Sequence, residues 1–528
     1  MTGASEAVPE DVKVTHEPRE PKFDPTVGVP PPSATLHQGV EPAPNRLVVI
    51  GDSLSHGFQS GAIYNTDISY PAIIAHELGW SSFRYPVYGG PGGLPINIEY
   101  LLRELEERYG TDVDWWEASR ALFRGRQLMD EIEDYYERGP GSRPTANARG
   151  INHNLSVFGW DLRDALSQTA ATCSKAIKDA SDAFLIQVVE RSGERAALSV
   201  YPTAPQDSDV TVFEAARRLG AEQQSADGDC GIETLIVFLG ANNALQAVTT
   251  LRVAWSGTGY DDPDANGSYT VWRPDHFAAE YDEVVQRVMA VGARHVIWCT
   301  VPHVTIAPIA RGIGHKLPER SRYFPFYTRP WIDTGSFDPR RDPHITGDQA
   351  RQVDSAIDQY NVHITEHVAA GRRDGRDWYL LDVAGLLDRL ASRRYIEDPN
   401  ARPPWWEPYE LPATLKALRP VPDSQFLTAD GEGGRAKGGL FSLDGVHPTT
   451  VGYGLIAQEL INVMQLAGVA FRPGSVASAS PVAVDFARLI RRDTLINRPP
   501  QNLTSGLAML GWADETLDVV RRALSFTG

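Results

Sequence analysis

Five short apolar runs, residues 47–50, 152–157, 234–239, 295–301 and 378–383, alternate along this chain with helix-patterned sequence. That alternation restricts the fold more than any other property of the sequence. A strand that returns through a helix runs parallel to the one before it, and the helices then cover both faces of the sheet. One crossover is legible at 351–368, where Val353, Ile357, Tyr360, Ile364 and Val368 recur on a single helical face. The class expected is α/β, and 528 residues suffice to bury a sizeable core. Residues 1–45 stand apart: their nine prolines, densest at Pro30, Pro31 and Pro32, suit an extended arm that either wraps the domain or stays loose.

The run that carries chemistry is RLVVIGDSLSHG, residues 46–57. Leu47 to Ile50 read as a buried parallel strand ended by Gly51, so Ser53 sits on the turn that leaves the strand. In open α/β sheets ligands bind beyond the carboxyl ends of the strands, which puts this hydroxyl where substrate and solvent meet. Capping of the next helix is the plainer use of Asp52 and Ser53. A second segment, FSLDGVHPTTVGYGLIAQEL at 441–460, favours chemistry. Asp444 and His447 lie three apart in a loop with Gly445 and Pro448. Such a turn can bring the carboxylate to one imidazole nitrogen and leave the other to accept a proton from a serine hydroxyl.

With these segments the chain resembles the GDSL, or SGNH, family of serine esterases and lipases, and two further blocks extend the resemblance. ARGINHNLSVFGWDLRDAL, residues 148–166, reads as strand, tight turn at Gly159 and helix, and is similar to the family's glycine block. TLIVFLGANNAL, residues 234–245, is similar to its Gly-x-Asn-Asp block, except that Asn243 stands where the family usually has Asp. The four blocks fall in family order between about residues 46 and 466.

The resemblance implies a three-layer, flavodoxin-like SGNH-hydrolase fold with a five-stranded parallel sheet and large insertions. It implies carboxylic-ester hydrolysis through an acyl-enzyme on Ser53, with His447 as base and Asp444 as its orienter. The oxyanion hole would comprise the amides of Ser53 and Gly159 and the side chain of Asn242, while Asn243 would alter hydrogen bonding in its loop and leave the chemistry alone. An acyltransferase would use the same residues. An SGNH-fold protein that binds a ligand without catalysis is the alternative from another class.

On this reading the hydrolase domain occupies 46–470, with insertions near 79–149, 173–230, 304–350 and 392–440, and 471–528 is a C-terminal helical extension. The first insertion holds GGPGGLP at 89–95, which lacks a phosphate-binding pattern, and two helices. Ile98, Leu101, Leu102 and Leu105 stripe the first, and the second runs near 119–137. Such a stripe is read as core packing in preference to a lipid-binding face. Trp115 and Trp116, with Trp405 and Trp406 in the last insertion, are the candidates for lining a substrate pocket; the competing reading of the first pair is insertion core.

Composition narrows the partners. A net charge of −18 repels nucleic acid and anionic membrane surfaces, so a small-molecule ester is the expected substrate. No run approaches the roughly 18 apolar residues of a membrane span, and MTGASEAVPEDVKV has neither the basic nor the apolar region of an export signal, so a cytoplasmic location is expected. Cys173, Cys230 and Cys299 are too few for a disulfide framework, although a bridge between Cys173 and Cys230 stays open. His363 and His367 are spaced i, i+4 on a helix, but the sequence puts no third ligand beside them. Neither a metal nor a cofactor is expected. The sequence does not fix the oligomeric state.

Overall fold

Four of the five apolar runs form the central sheet. In the computed structural model, which describes residues 7–30, 41–111, 118–143, 150–179, 189–202, 207–222, 230–263, 265–316, 321–471 and 481–503, the strands are β1 (Asn45–Gly51), β2 (Ile232–Phe238), β3 (His295–Cys299) and β4 (Trp378–Leu381). All pair in parallel, in that order across the sheet. Val48 lies opposite Leu235, Leu235 opposite Val296, and Trp298 opposite Leu380.

The fifth run does not become a strand. Residues 152–157 lie along the outer edge of β1 and make one parallel bridge, Asn154 to Val49, with backbone bonds from Val49 N to His153 O, Leu155 N to Val49 O and Val157 N to Gly51 O. The ladder stops there because the segment's polar groups bond elsewhere. The His153 and Asn154 amides both donate to Arg84 O, and the Ser156 amide donates to the Asn154 side chain. Such local bonds compete with sheet pairing.

Alternation across the pleat sorts the core into two layers. Val48, Ile50, Leu235, Val237, Val296 and Trp298 face the helices Val212–Ala221, α5 (Pro274–Val291) and α6 (Gly347–Arg373). Leu47, Val49, Ile236, Phe238, Ile297 and Cys299 face α2 (Tyr70–Glu77) and α8 (Thr450–Leu466). Short helices leave the strand ends: α1 (Ser53–His56) after β1, α4 (Asn242–Thr249) after β2 and α7 (Val383–Leu390) after β4, while α3 (Leu162–Ser167) follows the Gly159 turn.

The Pro-rich arm wraps the domain where it is described. Pro25 O accepts from Leu380 N on the outer edge of β4, Lys22 N donates to Asp382, and Arg19 pairs with Asp358 and Asp382. An exposed sheet edge is thereby covered.

The leucine stripe of the first insertion is core packing. Helix Ile98–Tyr109 sets Ile98 and Leu102 against Leu443 and Leu495, and Leu101 against Leu128 and Met129 of helix Ala118–Glu137. Trp115 and Trp116 lie outside the described residues. Cys173 is buried and Cys230 exposed, and both are free thiols, so the bridge left open between them is not made. Of the C-terminal extension, Phe486–Arg492 and Thr494–Asn497 are described and add Phe486, Leu489 and Ile496 to the core beside α8. Among the described residues no helix is long and apolar enough to cross a membrane.

Candidate active site

The turn after β1 is built by close approach. Gly51 ends the strand where a Cβ would fall 2.2 Å from Ser55 Oγ and 2.8 Å from Phe238 O, so no side chain fits there. Asp52 caps α1 by accepting from Leu54 N at 3.0 Å, which leaves Ser53 as the first helical residue, its amide free of any intrahelical acceptor. The capping role thus falls to Asp52 and leaves the Ser53 hydroxyl for another partner.

The 441–448 loop meets this turn. His447 Nε2 lies 2.8 Å from Ser53 Oγ, and His447 Nδ1 lies 3.0 Å from Asp444 Oδ2. All three are buried. Asp444 Oδ1 accepts from the Val446 and His447 amides, each at 2.9 Å, which folds the carboxylate back onto its own loop. Burial opposes the charge on Asp444, but the adjacent imidazole and these amide donors overcome it and hold the carboxyl below its usual range. The ring of His447 packs on Phe58, 4.5 Å between centroids.

A support the sequence did not announce is the hairpin of Phe58–Gln59 and Ala62–Ile63. Gly61 N donates to Asp444 Oδ2 at 3.0 Å, while Ser60 N donates to Ser442 Oγ and Leu443 N to Ser60 Oγ. The only local signal was the Gln59-Ser60-Gly61 turn composition, which says nothing about a partner nearly four hundred residues away.

The remaining predicted donors, Gly159 and Asn242, lie on two other elements that meet each other. Gly159 adopts φ +85° in the turn before α3, and the Phe158 amide just before it donates to His56 Nδ1, at the end of α1. Asn242 starts α4 and donates from Nδ2 to Trp160 O at 2.8 Å. A side-chain amide has two N–H groups, so one remains for another acceptor. Asn243 follows Asn242 in α4. Its side chain is fully buried and neither its Oδ1 nor its Nδ2 has a partner, so the bonds it makes are those of its backbone, to Gly240 O and Trp272 N.

A cavity of about 110 Å³ opens beside Ser53 and His447. Its walls are apolar, with Leu54, Leu245, Val304, Leu386, Leu390 and Phe441 prominent. Trp405 and Trp406 do not line it. Trp406 is buried against Tyr395 and Ala401, its indole N–H bonded to Asp388 O, and Trp405 packs beside it. The cavity wall comes instead from ordinary strand-end helices, whose leucines carry no sequence mark of a pocket. His303 also borders the cavity, but both ring nitrogens are engaged, Nε2 by Asp358 at 2.9 Å and Nδ1 by Arg394 at 3.1 Å. That leaves His447 as the imidazole facing the serine. No known protein family, curated protein or solved structure matches this chain.

Proposed function

We propose that the protein is a serine hydrolase of the SGNH type that cleaves carboxylic esters with an apolar acyl group. The observation that carries this reading is the continuous relay Ser53, His447, Asp444, with contacts of 2.8 and 3.0 Å. The order of the sheet supports the family reading: with residues 152–157 counted beside β1, the strands would run 2-1-3-4-5, the flavodoxin-like order.

In the mechanism, Ser53 Oγ attacks the ester carbonyl as His447 Nε2 takes its proton. Asp444 holds the ring through Nδ1 and stabilises the imidazolium. The amides of Ser53 and Gly159 and the free N–H of Asn242 bind the oxyanion, one such donor being worth about 3–4 kcal/mol. The imidazolium then protonates the departing alcohol. Water, deprotonated by the same imidazole, hydrolyses the acyl-enzyme and regenerates the serine.

The apolar cavity would take the acyl chain. Burying one methylene is worth about 0.8 kcal/mol, so each added carbon should raise kcat/KM by up to about fourfold until the cavity is full. With p-nitrophenyl esters, butanoyl and hexanoyl are expected to exceed acetyl. Leu386→Trp, which fills the cavity from α7, should move the preference back to acetyl. Labelling by a fluorophosphonate probe tests the nucleophile: the wild type should label and Ser53→Ala should not. A wild type that resists the probe would favour the noncatalytic binding alternative.

A further inference from the structure

We propose that Asp282, His363 and His367 form a divalent-metal site that ties α5 to α6, with Zn²⁺ the best-matched ion. In the sequence the two histidines lacked a third ligand; the packing of the helices supplies one. Positions i and i+4 of α6 stack His363 and His367 on one face, and α5 brings Asp282 against both rings.

Three ligand atoms converge. Asp282 Oδ1 is 2.9 Å from His363 Nε2 and 2.7 Å from His367 Nε2, and the two Nε2 atoms are 3.1 Å apart. Protons alone leave this triangle in conflict. Ionised Asp282 only accepts, so bonding both rings requires a proton on each Nε2, and the two N–H groups then crowd each other with no acceptor between them. Removing either proton turns a nitrogen lone pair toward the carboxylate.

A divalent cation replaces both protons and satisfies all three atoms. Atoms at these separations lie on a circle of radius about 1.7 Å, so an ion at the usual Zn–N and Zn–O distances of about 2.0–2.1 Å reaches all three and keeps a fourth direction for water. Two imidazoles and one carboxylate form a borderline donor set that suits Zn²⁺ better than Mg²⁺ or Ca²⁺, which prefer oxygen. The rings are partly exposed and the carboxylate exposed, so an ion can enter without unfolding. Bound there it would cross-link two helices of one layer, at side chains outside the Ser53 relay.

The experiment is zinc titration of the full chain by calorimetry after EDTA stripping, with visible absorption of Co²⁺ to report the coordination geometry. The wild type should bind one equivalent with micromolar or tighter affinity, give a four-coordinate cobalt spectrum and gain several degrees in Tm. Asp282→Asn and the pair His363→Gln with His367→Gln should weaken binding at least tenfold and abolish the Tm shift, while leaving far-UV dichroism and ester hydrolysis unchanged. The proposal is overturned if the wild type takes up neither Zn²⁺ nor Co²⁺ at about 100 µM. It is equally overturned if the double variant still binds one equivalent with wild-type affinity, since the ligands would then lie elsewhere.

Discussion

At the scale of single residues, the proposed mechanism gives distinct tasks to Ser53, His447, Asp444 and Asn242. Ser53→Ala and His447→Ala should each remove almost all ester turnover, and the double variant should be little worse, because nucleophile and base act as one unit. Asn242 Nδ2 is anchored on Trp160 O, which on the proposed mechanism would hold its second N–H ready for the oxyanion. Asn242→Ala should lower kcat by roughly 10²- to 10³-fold with a smaller change in KM, since the donor acts mainly in the transition state. Asn243→Asp should behave differently. A carboxylate placed where the present amide finds no partner is buried without a donor, which should cost about 2 kcal/mol or more in urea denaturation while kcat per folded molecule changes little. A larger fall in kcat at Asn243 than at Asn242 would reverse the two assignments. The segments bearing Ser53, Asp444 and His447, which the structure brings together, were legible because each sits in a motif with turn residues. Ser60 and Gly61 were not, since their role exists only through a contact with the distant 441–448 loop.

Elements carry the pH dependence. Asp52, the cap of α1, keeps Oδ1 on Leu54 N, but burial pushes its carboxyl up to about 7 against the opposing pull of that amide and of His447. Unfolded, the same group ionises near 4, so between about pH 4 and pH 7 the folded state holds more protons than the unfolded one. Its contribution to stability therefore falls as pH rises through that window and stays constant above it. Asp444 has the opposite sign: held below its usual range, it stabilises the fold above the unfolded pKa and loses that contribution as pH falls through the folded one. Asp52→Asn preserves the capping oxygen and removes the ionisation. Relative to wild type it should gain a few kcal/mol at most between pH 5 and pH 8, read by denaturation at both values. Equal differences at the two pH values would rule out Asp52 as the titrating group. The elements themselves were largely legible from period and punctuation. The exception, residues 152–157, shows why: an apolar run predicts a strand, but whether its amides complete a ladder depends on what else lies within reach, here Arg84 O and the Asn154 side chain.

For the whole molecule, the arm fastens the sheet edge to the outer helical layer. Arg19 is mostly buried, and although burial disfavours its charge, Asp382 and Asp358 overcome that and raise its affinity for the proton. Without Arg19, Asp382 keeps the Lys22 and Gly385 amides and the Thr300 hydroxyl and Asp358 keeps His303, so Arg19→Ala should cost roughly 1–3 kcal/mol in chemical denaturation. Deleting residues 1–30 should do the same and also raise light scattering on warming, because the outer edge of β4 loses the bond from Leu380 N to Pro25 O and lies open to pairing. A truncated chain as stable and monodisperse as the full one would show the arm to be passive.

The sequence by itself determined the features that local periodicity and turn chemistry dictate: an α/β chain, its parallel strands, the helix at 351–368, and the turns bearing Ser53, Gly159, Asn242 and the Asp444-to-His447 loop. Only the tertiary structure decided the contacts between segments far apart in the chain. It joined His447 to Ser53, set Gly61 on Asp444, and left Trp405 and Trp406 away from the cavity, which leucines of strand-end helices enclose. It also brought Asp282 to a histidine pair that lacked a partner. The physical reason is common to all of these: backbone preferences act over a few residues and leave a readable pattern, whereas a contact between distant side chains depends on how whole layers pack, for which a single chain carries no local mark.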